Sequence, residues 1–229
     1  MTTYPAYQLP PVQENAATLL VASETHSLRQ DIEGFITHGY FNHYGARISQ
    51  FMPVLFAIKK QTFNAALGIR HGVDPQYKNP TPFFVEQYLD LPIESLLKVQ
   101  GMAFCREQIT EIGNLFSRAP RYTLSLLLSL YFVLKKRGTQ CLIFSATTQL
   151  QQLFTGAGLN LIALAQADPQ RLVTTKDNWG RYYHTQPKVC TLLLTDIEHR
   201  IATCPRLHHV SQNTPALASS NKEMDSYVA

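Results

Sequence analysis

The chain has 229 residues, 45% of them hydrophobic, with a formal net charge of +4 and a pI near 8.9. That is enough apolar material for one substantial core and excludes a wholly disordered chain. The mild basicity suits an anionic carrier, a phosphate-bearing ligand or a membrane surface, and there is no Lys/Arg block with interleaved aromatics of the kind that reads nucleic acid.

Residues 1–17 are rich in Pro and Gln and read as an irregular arm. The first 22 residues lack the charged and continuous apolar regions of a secretory signal, so a cytoplasmic location is expected. Leu19 to Ala22 read as a strand. Ser23 or Thr25 can cap a helix that puts Leu28, Ile32, Phe35 and Ile36 on one face. Tyr40, Phe41, His43 and Tyr44, between Gly39 and Gly45, suggest a loop packed by its own aromatics. Phe51 to Ile58 and Asn64 to Arg70 form an antiparallel pair across the turn Lys59 to Phe63, and the prolines of 72–82 predict a surface loop. Phe83 to Tyr88 read as a strand, after which Pro92 at the first helical position opens a helix with Ile93, Leu96 and Leu97.

The segment Glu107 to Phe154 alternates strand, helix, strand, helix. Ile109 and Ile112 belong to a β-run, Ser117 to Arg121 bend the chain, and Tyr122 to Leu134 carry helix-period apolar residues up to Lys135, Lys136, Arg137 and the stop at Gly138. Cys141 to Phe144 form a buried strand, and Thr147 or Thr148 caps a helix holding Leu150, Leu153 and Phe154. A helical crossover of this length implies parallel strands, and helix N-termini after strand ends suit anions. Leu124 to Leu134 is too short to span a bilayer, which takes about 20 residues.

Farther on, Asn160 to Ala165 read as a strand, Asp168 to Arg171 as a turn and Asp177 to His184 as an aromatic β-like stretch. Val189 to Ile201 have helical spacing, and from Pro205 the Ser/Asn/Pro-rich tail (205–229) is expected to be disordered. The four cysteines and the histidines show no metal spacing, so no metal site is expected.

This order is that of the N-acetyltransferase (GNAT) fold, an α/β (α+β) architecture with a central mixed twisted sheet flanked by helices, placed here at 18–204. The middle resembles the acyl-homoserine lactone synthases, in which an R-L strand, a Pro-containing loop, a Phe/Leu-rich segment and an E-x-S-R-F strand follow one another. Here these are Gly68-Ile69-Arg70, loop 72–82, Phe83 to Leu97 and Glu111-Ile112-Gly113-Asn114-Leu115-Phe116. A closer resemblance is to the thermostable hemolysin family, carried by Phe51-Met52-Pro53-Val54-Leu55, Ala66-Leu67-Gly68-Ile69-Arg70, Glu86-Gln87-Tyr88-Leu89-Asp90, Glu111 to Leu115, Ala146-Thr147, Ala167-Asp168-Pro169 and Trp179-Gly180, over about residues 25–200.

The resemblance implies transfer of a fatty acyl group from an acyl carrier protein (phosphopantetheine) thioester or acyl-CoA, as co-substrate, to an amine or amino-acid-derived acceptor, with no permanently bound cofactor. A membrane-active protein without this chemistry is the alternative that the family's name suggests. Peripheral membrane contact is compatible with both, and no transmembrane segment is expected. Ser117 to Tyr122 replace the Gly-rich pyrophosphate loop of acetyl-CoA enzymes, so Arg118 and Arg121, with Ser117, Leu115, Gly113 and Ala146, are expected to meet the donor. Gly113-Asn114 stand where the lactone synthases have Ser-Arg, which does not support S-adenosylmethionine as acceptor.

Glu86 and Glu111 are expected on neighbouring strands in apolar surroundings, where a carboxylate has a raised pKa and can act as base or hold an amine. Ending a strand in solvent or pairing with Arg70 is the structural alternative. Asn114 can donate to an oxyanion, and Gly113 can mark a bulge that parts two strands. Arg70, Trp179 and Tyr182 are the remaining substrate-binding candidates, with core packing equally open to the two aromatics.

Overall fold

The computed structural model describes residues 17–74, 76–173 and 177–212. The expected N-terminal arm, apart from residue 17, and the tail beyond 212 lie outside the described residues. One seven-stranded sheet, in the order β1-β2-β3-β4-β5-β7-β6, is built from β1 (Thr18–Ala22), β2 (Val54–Lys59), β3 (Phe63–His71), β4 (Ile109–Ser117), β5 (Cys141–Ala146), β6 (Ile162–Gln166) and β7 (Lys188–Leu193). Only β4 and β5 are parallel, as their crossover helix requires.

Strand alternation sorts the core by face. Phe56 and Ile58 of β2 join the larger cluster under α3 (Pro120–Lys136), α4 (Thr148–Gly156), α5 (Leu194–Thr203) and α6 (Pro205–Gln212). Leu55 and Ala57 turn to the other face and pack with α1 (Arg29–Tyr44). A third cluster on this second face gathers Ile109, Cys141, Ile143 and Val189 under α2 (Ile93–Val99). Helix α3 starts with Pro120 at N1, where the missing N–H costs no helical bond, and its leucines are buried on several sides between the sheet and α5 and α6. Thr147 caps α4 through its side chain, which accepts from the Leu150 N–H at 3.2 Å.

Five stretches differ from the sequence expectation. The aromatic run at 40–44 is helical: α1 continues two turns past Ile36, because Ile32, Ile36 and Tyr40 share one buried face, and it stops at Gly45 with φ +66°. Gly39 is a contact and not a break, since a Cβ there would stand 2.3 Å from the Phe116 ring. Neither Ser23 nor Thr25 caps this helix; the His26 ring accepts from the Leu28 N–H at 3.0 Å. Phe84–Tyr88 is a 3-10 turn and not a strand, and Pro92 caps α2 one position before its first residue. The run Val189 to Ile201 divides into the end of β7 and α5, and α6 occupies Pro205–Gln212 where a periodless tail was expected. In the aromatic stretch 177–184, Asn178 makes a single bridge to Arg47 before the 3-10 turn Tyr182–Thr185.

Candidate active site

Strand β4 has two halves. Ile109 to Ile112 pair in parallel with Cys141 to Phe144 of β5, but Gly113 to Ser117 pair only with β3, and Ser145 and Ala146 only with β7. The two strands therefore part after Ile112. The cause is local: β3 advances two residues from Ala66 to Gly68 while β4 advances three from Gly113 to Phe116. The extra residue makes a bulge, and Asn114 takes it up with φ +52°, a left-handed conformation that Asn tolerates better than most residues.

Asn114 is fixed there by its own side chain. Its Oδ1 accepts from the Met52 N–H at 2.9 Å and its Nδ2 donates to the Gln50 carbonyl at 3.0 Å. Met52 lies across the facing pair Gly68 and Gly113. A Cβ at Gly113 would be 2.4 Å from the Met52 methyl carbon, and one at Gly68 2.5 Å from the Met52 Cβ. Both glycines are thus required by close approach. Arg29 secures the same segment, donating to the carbonyls of Met52 and Pro53 at 2.8 Å each.

The parted strands open onto a cavity of about 860 Å³ that reaches both faces of the sheet. On the α3/α4 side its wall is mostly aliphatic, with Leu127, Leu150 and Leu153 beside Phe154. On the α1 side it is aromatic, with Tyr40, Tyr44, Phe84, Tyr88, Trp179 and Tyr182.

Glu111 lines this cavity from the zipped half of β4 and is completely buried. Its two oxygens accept from the N–H groups of Phe84 at 2.9 Å and Val85 at 2.7 Å, and Arg70, its partner across the β3–β4 ladder, comes within 3.6 Å. Burial pushes the carboxyl up to about 7, against the lowering effect of Arg70 and the two N–H groups. Both protonation states are consequently populated near neutral pH. Arg70 also lines the cavity, and donates to the Pro82 carbonyl at 3.2 Å.

Glu86 does not join it. The segment that was expected to be a strand beside β4 is a 3-10 turn, so Glu86 points away from the cavity and caps its own turn through the Phe83 N–H at 3.0 Å. Arg106 clamps it at 2.6 Å and also holds Glu94 at 2.9 Å. Burial raises the Glu86 pKa, but the Arg106 guanidinium and the N–H groups of Phe83 and Ile93 outweigh it and hold the carboxyl below its usual range. Glu86 is thus held as an anion by Arg106 and its own turn.

Of the other candidates, Gly113, Leu115, Ser117, Arg118, Trp179 and Tyr182 line the cavity with Asn114 and Arg70, whereas Arg121 and Ala146 do not. Arg118 sits at its α3 end, donating through Nε to the Phe63 carbonyl at 2.9 Å and lying over the Phe35 ring. Arg121 packs on the Tyr122 ring at 4.6 Å, and Ala146 is buried in the α3-side core. Tyr182 reaches Ser145, the first β5 residue beyond the split, at 3.4 Å between oxygens. Tyr40, Tyr44, Phe84 and Tyr88 were not singled out from the sequence as site residues. The available signal was their density, since six of the nine Phe, Tyr and Trp residues of 40–44, 83–88 and 179–183 converge here. No group of three or more His, Cys, Asp or Glu among the described residues could hold a metal ion, and none of the described helices is long and apolar enough to cross a membrane.

Several solved structures share this architecture. The acyl-homoserine lactone synthase LasI is 12% identical, with a TM-score of 0.52 over 79% of this chain and 91% of its own. BjaI, a CoA-dependent acyl-homoserine lactone synthase solved with SAM and isopentyl-CoA, is 11% identical, with a TM-score of 0.55 over 93% and 99%. FeeM, an N-acyl amino acid synthase from uncultured soil microbes, is 11% identical, with a TM-score of 0.51 over 82% and 98%. At these identities the likeness is one of fold, which is GNAT-like. No curated protein matches the chain. The family described as thermostable hemolysin matches residues 22–197, more than half of the chain, and this protein belongs to it.

Proposed function

We propose that the protein is an N-acyltransferase, moving a fatty acyl group from an acyl carrier protein or CoA thioester to the amine of a small acceptor in the cytoplasm. The observation that carries this reading is the parting of β4 from β5 over a cavity that has a fully buried carboxylate, Glu111, in its wall. A slot between strands accepts the extended pantetheine arm, the aliphatic wall takes the acyl chain, and the aromatic side with Glu111 takes the acceptor.

In this scheme Glu111 removes a proton from the acceptor ammonium, and the freed nitrogen attacks the thioester carbonyl. The C–N bond forms, the C–S bond breaks, and the nitrogen's remaining surplus proton leaves with the thiolate as thiol. Asn114 acts through shape: both ends of its side-chain amide hold the 50–52 segment, so it keeps the bulge open and is not assigned to the oxyanion. Ser117 and Arg118, at the α3 end of the cavity, face the donor's phosphate, while Arg121, outside it, meets the carrier's acidic surface.

Purified protein mixed with acyl-CoA and acyl carrier protein thioesters and a panel of amines should release thiol only when donor and acceptor are both present. Absence of amine-dependent release across all donors overturns the reading. The family's description favours a second reading, direct membrane lysis. Leakage from liposomes that persists unchanged in Glu111→Gln would select it.

A further inference from the structure

The α1-side chamber has a charge pattern that a plain amine does not match. Arg70 and Glu111 face each other across the β3–β4 ladder, 3.6 Å apart, and both line the cavity. An ammonium seated on Glu111 would share that space with a guanidinium, and like charges at such a distance in a low-dielectric pocket repel. The repulsion disappears if the acceptor carries its own anion beside its ammonium, which is the arrangement of an α-amino acid zwitterion.

The rest of the chamber is aromatic. The Phe84 backbone holds Glu111 while its ring stands 6.1 Å from Trp179, and Trp179 lies 5.4 Å and Tyr44 5.3 Å from Tyr182, all of them on the cavity wall. These rings are tilted or edge-on to one another and in contact, and together they present aromatic surface to the cavity against which a further ring can pack. The Trp179 indole N–H is shielded from solvent and meets no acceptor among the described residues. A buried donor of that kind is uncommon in a chamber complete in itself.

We infer that the acceptor is an aromatic α-amino acid, its ammonium on Glu111, its carboxylate on Arg70 and its ring among Phe84, Trp179 and Tyr182. The inference rests on the acyl-transfer reading, which makes this chamber the acceptor side. It can be tested apart from that reading, because Trp179 is the chain's single tryptophan and reports occupancy without any donor.

The experiment titrates the full chain with L-phenylalanine, L-leucine, phenethylamine and 3-phenylpropionate, following indole emission. L-phenylalanine should bind saturably, and each compound lacking one charge or the ring should bind at least about tenfold more weakly, as expected for a lost charged hydrogen bond or an unfilled aromatic slot. Arg70→Gln, provided that it melts cooperatively, should weaken L-phenylalanine and tighten phenethylamine, because the charge that repels a lone ammonium is gone. If that variant does not fold, the wild-type ranking decides. Phenethylamine binding as tightly as L-phenylalanine, or no compound perturbing Trp179, overturns the inference even if other amines are acylated. Selective binding of L-phenylalanine without any thiol release upholds the subsite and removes the transferase.

Discussion

The two halves of β4 have the same neighbours in sequence order and opposite fates. From Ile109 to Ile112 the strand is paired on both sides and closed, and it presents one buried acid. From Gly113 to Ser117 it is paired on one side and lines a cavity. One additional residue separates the two regimes, which shows that a bulge can convert the middle of a sheet into a binding slot without leaving either strand at an edge.

The carboxylates sharpen the same contrast. Glu111, in the closed half, is buried with its charge only partly compensated, whereas Glu86 is clamped by Arg106 on a turn outside the cavity. The largest expected effect follows from this. Glu111→Gln should lower amine-dependent thiol release by about 10²–10⁴-fold, the usual worth of a general base. Glu86→Gln should leave kcat near the wild-type value.

Closing the slot comes next. Gly113→Val puts branched carbon where the Met52 methyl sits, and overpacking of this kind costs about 1–3 kcal/mol. We expect lower stability in denaturant melts together with a raised KM for the donor, and partial recovery in the double variant with Met52→Ala. Recovery of stability without recovery of KM would separate the bulge from the slot. Asn114→Ala loses two hydrogen bonds and strains a left-handed position, a loss of about 1–3 kcal/mol. Asn114→Gly keeps the backbone freedom and should lose less. If both variants melted alike, the φ of +52° would carry no weight.

The smaller effects are on stability. Glu86→Gln breaks a partly buried clamp, and we expect a loss of about 1–2 kcal/mol, less than for a fully buried pair. For Glu111, where burial outweighs the pairing with Arg70, the sign is opposite to that of an acid held low by its ion pair. Its folded pKa of about 7 lies above the ordinary 4.5, so its contribution to stability is present below about 4.5 and fades as pH rises through about 7. The melting advantage of wild type over Glu111→Gln should therefore shrink across that window, while the wild-type rate rises over it as the carboxylate forms. A rate that is flat from pH 5 to pH 8 would remove Glu111 as the base.

Much of the framework around β4 was legible in the sequence. Apolar period and stop signals marked α3, Thr147 or Thr148 marked the start of α4, and Gly113 marked the bulge, although the left-handed residue is Asn114, which the sequence suggested as an oxyanion donor. The turn at 84–88 was not legible, because Phe83 to Tyr88 are good strand formers. Its shape is imposed from outside by Glu111, which takes the Phe84 and Val85 N–H groups, and is closed from within by Glu86, which takes that of Phe83. The same cause hid the site's makeup: with Glu86 on a strand it would have stood beside Glu111, and with 40–44 in a loop Tyr40 and Tyr44 had no fixed place. In Val189 to Ile201 the leucine run of β7 leads directly into α5, and the two periods blur into one.

The most direct measurement is a structure of the protein with a non-hydrolysable acyl-CoA or acyl-pantetheine analogue. The pantetheine arm should lie between Gly113 to Leu115 of β4 and Ser145 of β5, with the acyl chain toward Leu127 and Leu150 and the thioester position facing Glu111. An arm bound elsewhere, with the cavity still open between the parted strands, would contradict the acyltransferase assignment.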